Sequence, residues 1–206
     1  FNVSSDHLLI DSEFYQAQMK CVFSEPIIEN QILLNKKTFI SNIAKKYSID
    51  LSHLTDECQQ HEKKVKRPVV YSETAVAEVI NAYDKILIEG FNVAKLKELY
   101  EVLYPSNKRN TKYTSWQSIK LIEAILNKLS VSIQNMDIAA VMSPLYILHD
   151  YRILLDHLLS ADKISETKEH IINTLGVQNF DDQENIYNEE IKRLNTLFNY
   201  LSILSK

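Results

Sequence analysis

The chain has 206 residues, enough to bury a sizeable core as one large domain or as one domain with an appendage. Hydrophobic residues make up 45% and charged residues 24%, and the formal net charge of −4 excludes a chain built mainly to coat nucleic acid, leaving room for a local basic strip. Two glycines and four prolines are too few for the tight turns of a strand-rich fold, so an all-α fold with short polar loops is expected. Two cysteines, Cys21 and Cys58, make no disulfide framework and point to a reduced, cytoplasmic setting. No apolar stretch approaches the length of a membrane span and no signal-peptide pattern is present, so no membrane partner is expected. The chain opens on Phe1 without targeting character and reads as a piece of a longer protein with a further domain upstream.

In chain order, Leu8 to Cys21 is predicted as a short helix. Ser24-Glu25-Pro26 is a start signal for a second, with Ile28, Ile32, Leu33, Phe39, Ile40 and Ile43 at helical spacing. A third helix is predicted from Ser52 to about Val65, followed by the charged connector Lys63 to Pro68. From Ser72 the apolar period restarts through Val76, Val79, Ile80, Tyr83, Ile86 and Leu87, with Gly90 where a helix-ending glycine is expected. Val93 to Tyr104 is a short helix stopped by Pro105, and Ser106 to Thr114 is a basic loop. Ser115 to Asn135 reads as one long helix. Ser143-Pro144 is predicted to start the next, which ends near Ser160. Ile164 to Leu175 follows, closed by Gly176, and a last amphipathic helix runs through Ile186, Ile191, Leu194, Leu197 and Leu201 to the C-terminus. The expected architecture is an all-α bundle of about eight helices. Its expected division is an N-terminal helical extension over 1–67 and a bundle over 72–206.

The segment Pro144 to Ser160 carries the candidate chemistry. On a helical wheel Ile147, Leu148, Tyr151, Leu154, Leu155, Leu158 and Leu159 fill the core side. His149, Asp150, Arg152, Asp156 and His157 occupy the other. Arg152 and His157 are five residues apart and differ in direction by roughly 140°, so they bracket the polar face. An arginine there can hold a phosphate while a histidine moves a proton. The same spacing also suits an ordinary surface pair between Arg152 and Asp156.

The arginine, four intervening residues and histidine of Arg152 to His157 resemble the motif of the HEPN superfamily, small helical bundles of bacterial defence and toxin–antitoxin systems. The resemblance covers roughly Ser72 to Lys206 and implies a HEPN-like core whose motif helices meet at a homodimer interface. It implies a metal-independent endoribonuclease in which Arg152 binds the scissile phosphate. His157 would serve as general acid/base for attack by a 2′-hydroxyl, leaving a cyclic phosphate. His149, Asp150 and Asp156 would orient or tune that pair.

The loop Asn107 to Tyr113, leading to Trp116, mixes cations and rings in a pattern that suits RNA. Lys108, Arg109, Lys112, Tyr113 and Trp116 are therefore candidate RNA contacts. Lys63, Lys64, Lys66 and Arg67 form a second basic cluster. His53, Glu57 and His61 share a helix side, but the histidines are eight residues apart, too far for one ion, so no metal and no cofactor are expected. Two glycines cannot build a phosphate loop, which excludes a P-loop kinase or ATPase. The leading reading is an RNA-cleaving defence domain active as a dimer. The alternative is a non-catalytic helical interaction or oligomerisation module, favoured by Ile153, an apolar residue directly after the arginine.

Overall fold

Low glycine content and unbroken apolar periods produce helices, and among the described residues every regular element is helical. The structure is a computed structural model that describes residues 27–105, 111–133, 136–156 and 158–206, with the side chains of Thr111, Ser132 and Asp156 outside that set. Among these described residues eight α-helices follow one another: α1 (Ile28–Tyr47), α2 (Thr55–Glu62), α3 (Glu73–Asp84), α4 (Val93–Leu103), α5 (Ser118–Leu129), α6 (Ile138–Asp156), α7 (Ala161–Leu175) and α8 (Gln183–Leu204). A π-helical turn, Lys85–Glu89, continues α3. Short 3-10 turns at Thr111–Ser115 and Ser130–Ser132 flank α5. The helix expected over 8–21 and the Ser24-Glu25-Pro26 signal lie outside the described residues.

The bundle is an all-α one. Helix α1 runs along α8, and α6 is the central element, packed against α3, α5, α7 and α8. The stripe Ile32, Phe39 and Ile43 on α1 and the stripe Leu194, Leu197 and Leu201 on α8 belong to one buried core with Val76, Ile80, Leu121, Leu145 and Leu148. Each such side chain contributes about 1.5–3 kcal/mol relative to its exposed state. Residues 28–65 and 72–206 therefore share a core. The connector between them is tied down by Arg67, which reaches the buried Glu29 at 3.5 Å and donates to Asn188 at 3.2 Å.

Helix ends follow their caps. Ser72 accepts from the Ala75 N–H, and Gly176 closes α7 in the left-handed region at φ 72°, both as the sequence indicated. Helix α2 is shorter than expected, and it begins after Leu54, which takes a positive φ of 47°. The single long helix expected over Ser115–Asn135 is shorter too, ending at Leu129 in a 3-10 turn.

The largest correction concerns α6. It starts at Ile138, not at Ser143-Pro144, because Asp137 caps it: the Ala140 N–H donates to Asp137 Oδ1 at 3.1 Å. Pro144 then falls inside the helix. It removes the N–H that would meet the Ala140 carbonyl, and the Ser143 hydroxyl donates to that carbonyl instead at 2.8 Å. The helix also ends at Asp156, because Ser160 is used as the cap of α7, accepting from the Lys163 N–H. Leu158, expected in the core, is consequently off the helix and fully exposed. One further expectation changes: the 18-residue window Ile138–Leu155, with mean hydropathy 1.2, is long and apolar enough to cross a membrane, although here it is the helix around which four others pack.

Candidate active site

Arg152 lies where α6 packs on α3, and it is held by two carboxylates. Its Nη1 donates to Asp84 Oδ2 at 2.8 Å and to Glu89 Oε1 at 2.7 Å. Asp84 and Glu89 are five residues apart. On an ideal α-helix that spacing turns two side chains roughly 140° away from each other. The π turn over Lys85–Glu89 widens the helix by one residue per turn and brings both carboxylates to one guanidinium. Lys85 Nζ closes the cluster by donating to both Glu89 oxygens at 2.8 and 3.0 Å.

The π turn has its own support. Lys36, buried on α1, donates to the Ile86 carbonyl at 2.8 Å and to the Gly90 carbonyl at 3.3 Å, and lies 4.8 Å from the centre of the Phe91 ring. Burial lowers its ammonium to about 8. Gly90 is required by this close approach. A Cβ there would collide with the Ile86 carbonyl and come within 2.8 Å of Cys58 Sγ and 2.9 Å of Lys36 Nζ.

Asp84 is fully buried, and burial pushes its carboxyl above the usual range against the opposing pull of Arg152. Glu89 moves the other way: burial raises it, but the hydrogen bonds and charges of Lys85 and Arg152 outweigh that and hold it low. The second oxygen of Asp84, Oδ1, accepts no hydrogen bond among the described residues and faces His149 Nδ1 at 4.0 Å. His149 is one turn before Arg152 on α6, so a single buried carboxylate stands behind both. With Nδ1 turned to Asp84, the opposite nitrogen is the one left for a ligand.

His149, 45% exposed, lies on the wall of a cavity of about 910 Å³. Four segments distant in sequence build this cavity, contributing His53, Glu89, Asn92, Trp116, Tyr146 and His149. The approach of the first two segments is fixed by backbone pairing: Ser52 and Phe91 form an isolated bridge, and the Asn92 N–H donates to the Leu51 carbonyl at 2.9 Å. A carboxylate-backed histidine, a second histidine and an aromatic wall can together perform proton transfer on a bound organic substrate.

The predicted site residues are distributed as follows. Arg152 is at the cluster just described. His157, Lys108 and Arg109 lie outside the described residues, as does the side chain of Asp156. Asp150 points away from Arg152 and meets His170 Nδ1 of α7 at 3.0 Å, beside a separate cavity of about 390 Å³. The aromatic candidates divide. Tyr113 packs on Tyr100 and donates its hydroxyl to Glu101 at 2.7 Å, whereas Trp116, set edge-on to Tyr100, lines the main cavity. Lys112 is exposed on the 3-10 turn that also carries Tyr113. His53 and His61 serve different cavities, the main one and a smaller one of about 230 Å³ beside Cys58.

The residues that sequence reasoning missed are Asp84 and Glu89, and His53 was weighed only as a metal ligand. Asp84 carried a signal, a lone acid within the apolar run Val79–Ile88, where a carboxylate needs a partner. Glu89 depended on the π turn, which no local signal marked. Comparisons with known proteins identify no relative: no family model, no curated protein and no solved structure matches this chain.

Proposed function

We propose that this chain is an endoribonuclease domain that cleaves RNA by side-chain acid–base chemistry without requiring a metal, as the Arg152/His157 resemblance implies, with its reacting groups at the His149 cavity. One observation carries the reading: His149 and Arg152 share the buried carboxylate of Asp84 at the edge of a cavity large enough for a nucleotide. In the proposed step His149, its Nδ1 turned toward Asp84, takes the proton of a ribose 2′-hydroxyl on its other nitrogen. The hydroxyl oxygen attacks phosphorus, a 2′,3′-cyclic phosphate forms, and the departing 5′-oxygen receives a proton from His53 across the cavity. Arg152 acts as a positioning residue, because its guanidinium is already shared by Asp84 and Glu89. Homodimerisation through the α6 face and a role in bacterial defence belong to the same proposal.

The test is incubation of the purified chain with single-stranded RNA in excess chelator, scoring cyclic-phosphate ends. His149→Ala is expected to lower the rate by about 100-fold or more. Retained cleavage in His149→Ala together with loss in His157→Ala would move the acid/base role to His157. A second reading has support of its own: the closure of Arg152 on two carboxylates also suits a purely structural ion cluster in a non-catalytic interaction module. Wild-type chain that leaves RNA intact under all conditions would favour that module.

A further inference from the structure

We infer that the main cavity seats a phosphate group at the start of α5, on Ser118, Ile119 and Lys120, and not on Arg152. The first turn of any α-helix leaves N–H groups without intrahelical partners, and at most helix starts here a side chain takes one of them. Ser72, Asn92, Ser160 and Asp182 do so for α3, α4, α7 and α8. At α5 the capping position is Gln117, which makes no side-chain cap, and the first capping bond is from the Leu121 N–H to the Gln117 carbonyl. The N–H groups of Ser118, Ile119 and Lys120 are thus unoccupied among the described residues, and the first turn holds no acidic residue.

Two further observations point to a ligand. Ser118 is 5% exposed, it lines the cavity, and its hydroxyl has no hydrogen-bond partner among the described residues. The hydroxyl oxygen keeps access to the cavity, so a ligand oxygen seated there can reach it. Lys120, in the same turn and on the same cavity wall, has no ion pair among the described residues. The start of α4, Asn92 to Ala94, faces the same cavity, again with no acid in its first turn, so two positive helix ends converge there.

Three N–H groups, a hydroxyl and an ammonium make a donor set for a group with several anionic oxygens, and phosphate is the biological group of that kind. The remaining cavity accommodates the attached nucleoside, with Trp116 as a ring against which a base can stack. A base held in a duplex cannot enter such a concavity, so the ligand class is the phosphate of an unpaired nucleotide, within a single RNA strand if the nuclease reading above holds, on which that last identification rests.

The experiment is amide-resolved NMR of the full chain titrated with inorganic phosphate, then adenosine, adenosine 5′-monophosphate, a single-stranded oligoribonucleotide and its duplex. The amides of Ser118, Ile119 and Lys120 are expected to shift with phosphate. The monophosphate is expected to bind about tenfold tighter than adenosine, and Lys120→Glu to weaken phosphate by about tenfold. Lys120 is exposed, so that variant is expected to unfold at the wild-type temperature. Ser118→Ala provides a second, smaller loss. A strand that binds no tighter than the monophosphate would support the seat and assign it to a mononucleotide. Unmoved Ser118–Lys120 amides, or wild-type phosphate affinity in Lys120→Glu, would overturn the inference. Phosphate binding without RNA cleavage removes the nuclease reading and leaves the seat. Cleavage unaffected by Lys120→Glu removes the seat and leaves the nuclease.

Discussion

Arg152→Ala is expected to destabilise the protein before it does anything else, and the structure sets the size. The substitution leaves Asp84, fully buried, without the guanidinium 2.8 Å away. Removing one partner of a buried pair costs about 3–5 kcal/mol, because the other charge is left uncompensated. Arg152 retains 24% exposure, so water can reach the vacated space, and the lower end applies. Glu89 is 39% exposed and keeps Lys85, so its share is at most a few tenths of a kcal/mol. The expected loss is about 3 kcal/mol, a fall in Tm of roughly 6–12 °C for a chain of this size. Asp84→Asn in the same chain removes the stranded charge and should restore most of the loss, with a coupling of about 2 kcal/mol in the double-mutant cycle. The pH dependence has a definite sign. Burial already raises Asp84 in the folded state, and loss of Arg152 raises it further. A raised carboxyl contributes stability below its unfolded value that is lost as pH rises through the folded value. The gap between variant and wild type should therefore widen from pH 4 to pH 7. Urea unfolding followed by circular dichroism at both pH values measures it. A loss below about 1 kcal/mol, or one that Asp84→Asn fails to suppress, would refute the reasoning. The outcome bears on function, because lost activity in Arg152→Ala has meaning only against a stability-matched Arg152→Ala/Asp84→Asn control.

Three further outcomes are expected. Gly90→Ala pushes a methyl against the Ile86 carbonyl, Cys58 and Lys36, and should cost about 1–3 kcal/mol by denaturant unfolding; a neutral result would mean that the π turn yields easily. Lys36, lowered by burial from 10.5 to about 8, makes the unfolded chain bind more protons between those values. Its contribution to stability rises across that window by about 3 kcal/mol, a slope that should vanish in Lys36→Met. Glu190 has the opposite sign: it is fully buried, neither oxygen has a partner among the described residues, and burial holds its carboxyl far above the usual range. Its contribution falls as pH rises from its unfolded value. Glu190→Gln should therefore gain roughly 1 kcal/mol relative to wild type at pH 8 and little at pH 4, read as the difference in Tm.

The sequence by itself determined the all-α class and the positions of most helices. These depend on near neighbours: an apolar residue every three or four positions, Ser72 as a cap, Gly176 where a left-handed φ is needed. Where local signals competed, the reading slipped. Ser143-Pro144 resembled a helix start more than Asp137 did, and only the Ser143 hydroxyl on the Ala140 carbonyl shows how α6 accommodates an internal proline. Ser160 could end one helix or begin the next, and its bond from the Lys163 N–H gives it to α7.

The candidate site divides along the same line. Arg152 stood out in the sequence because it sits five residues before His157 on the polar side of its helix. What answers it came from tertiary structure alone. Asp84 and Glu89 lie 68 and 63 positions away and converge only through the π turn. His149 was visible as a second-line residue, and its place at the cavity depends on where His53, Asn92, Trp116 and Ser118 arrive from three other segments. Periodicity and caps report contacts within about four residues. A site assembled from segments up to about a hundred residues apart is set by how helices pack, and side-chain volume and buried charge decide that only once the whole core is in place.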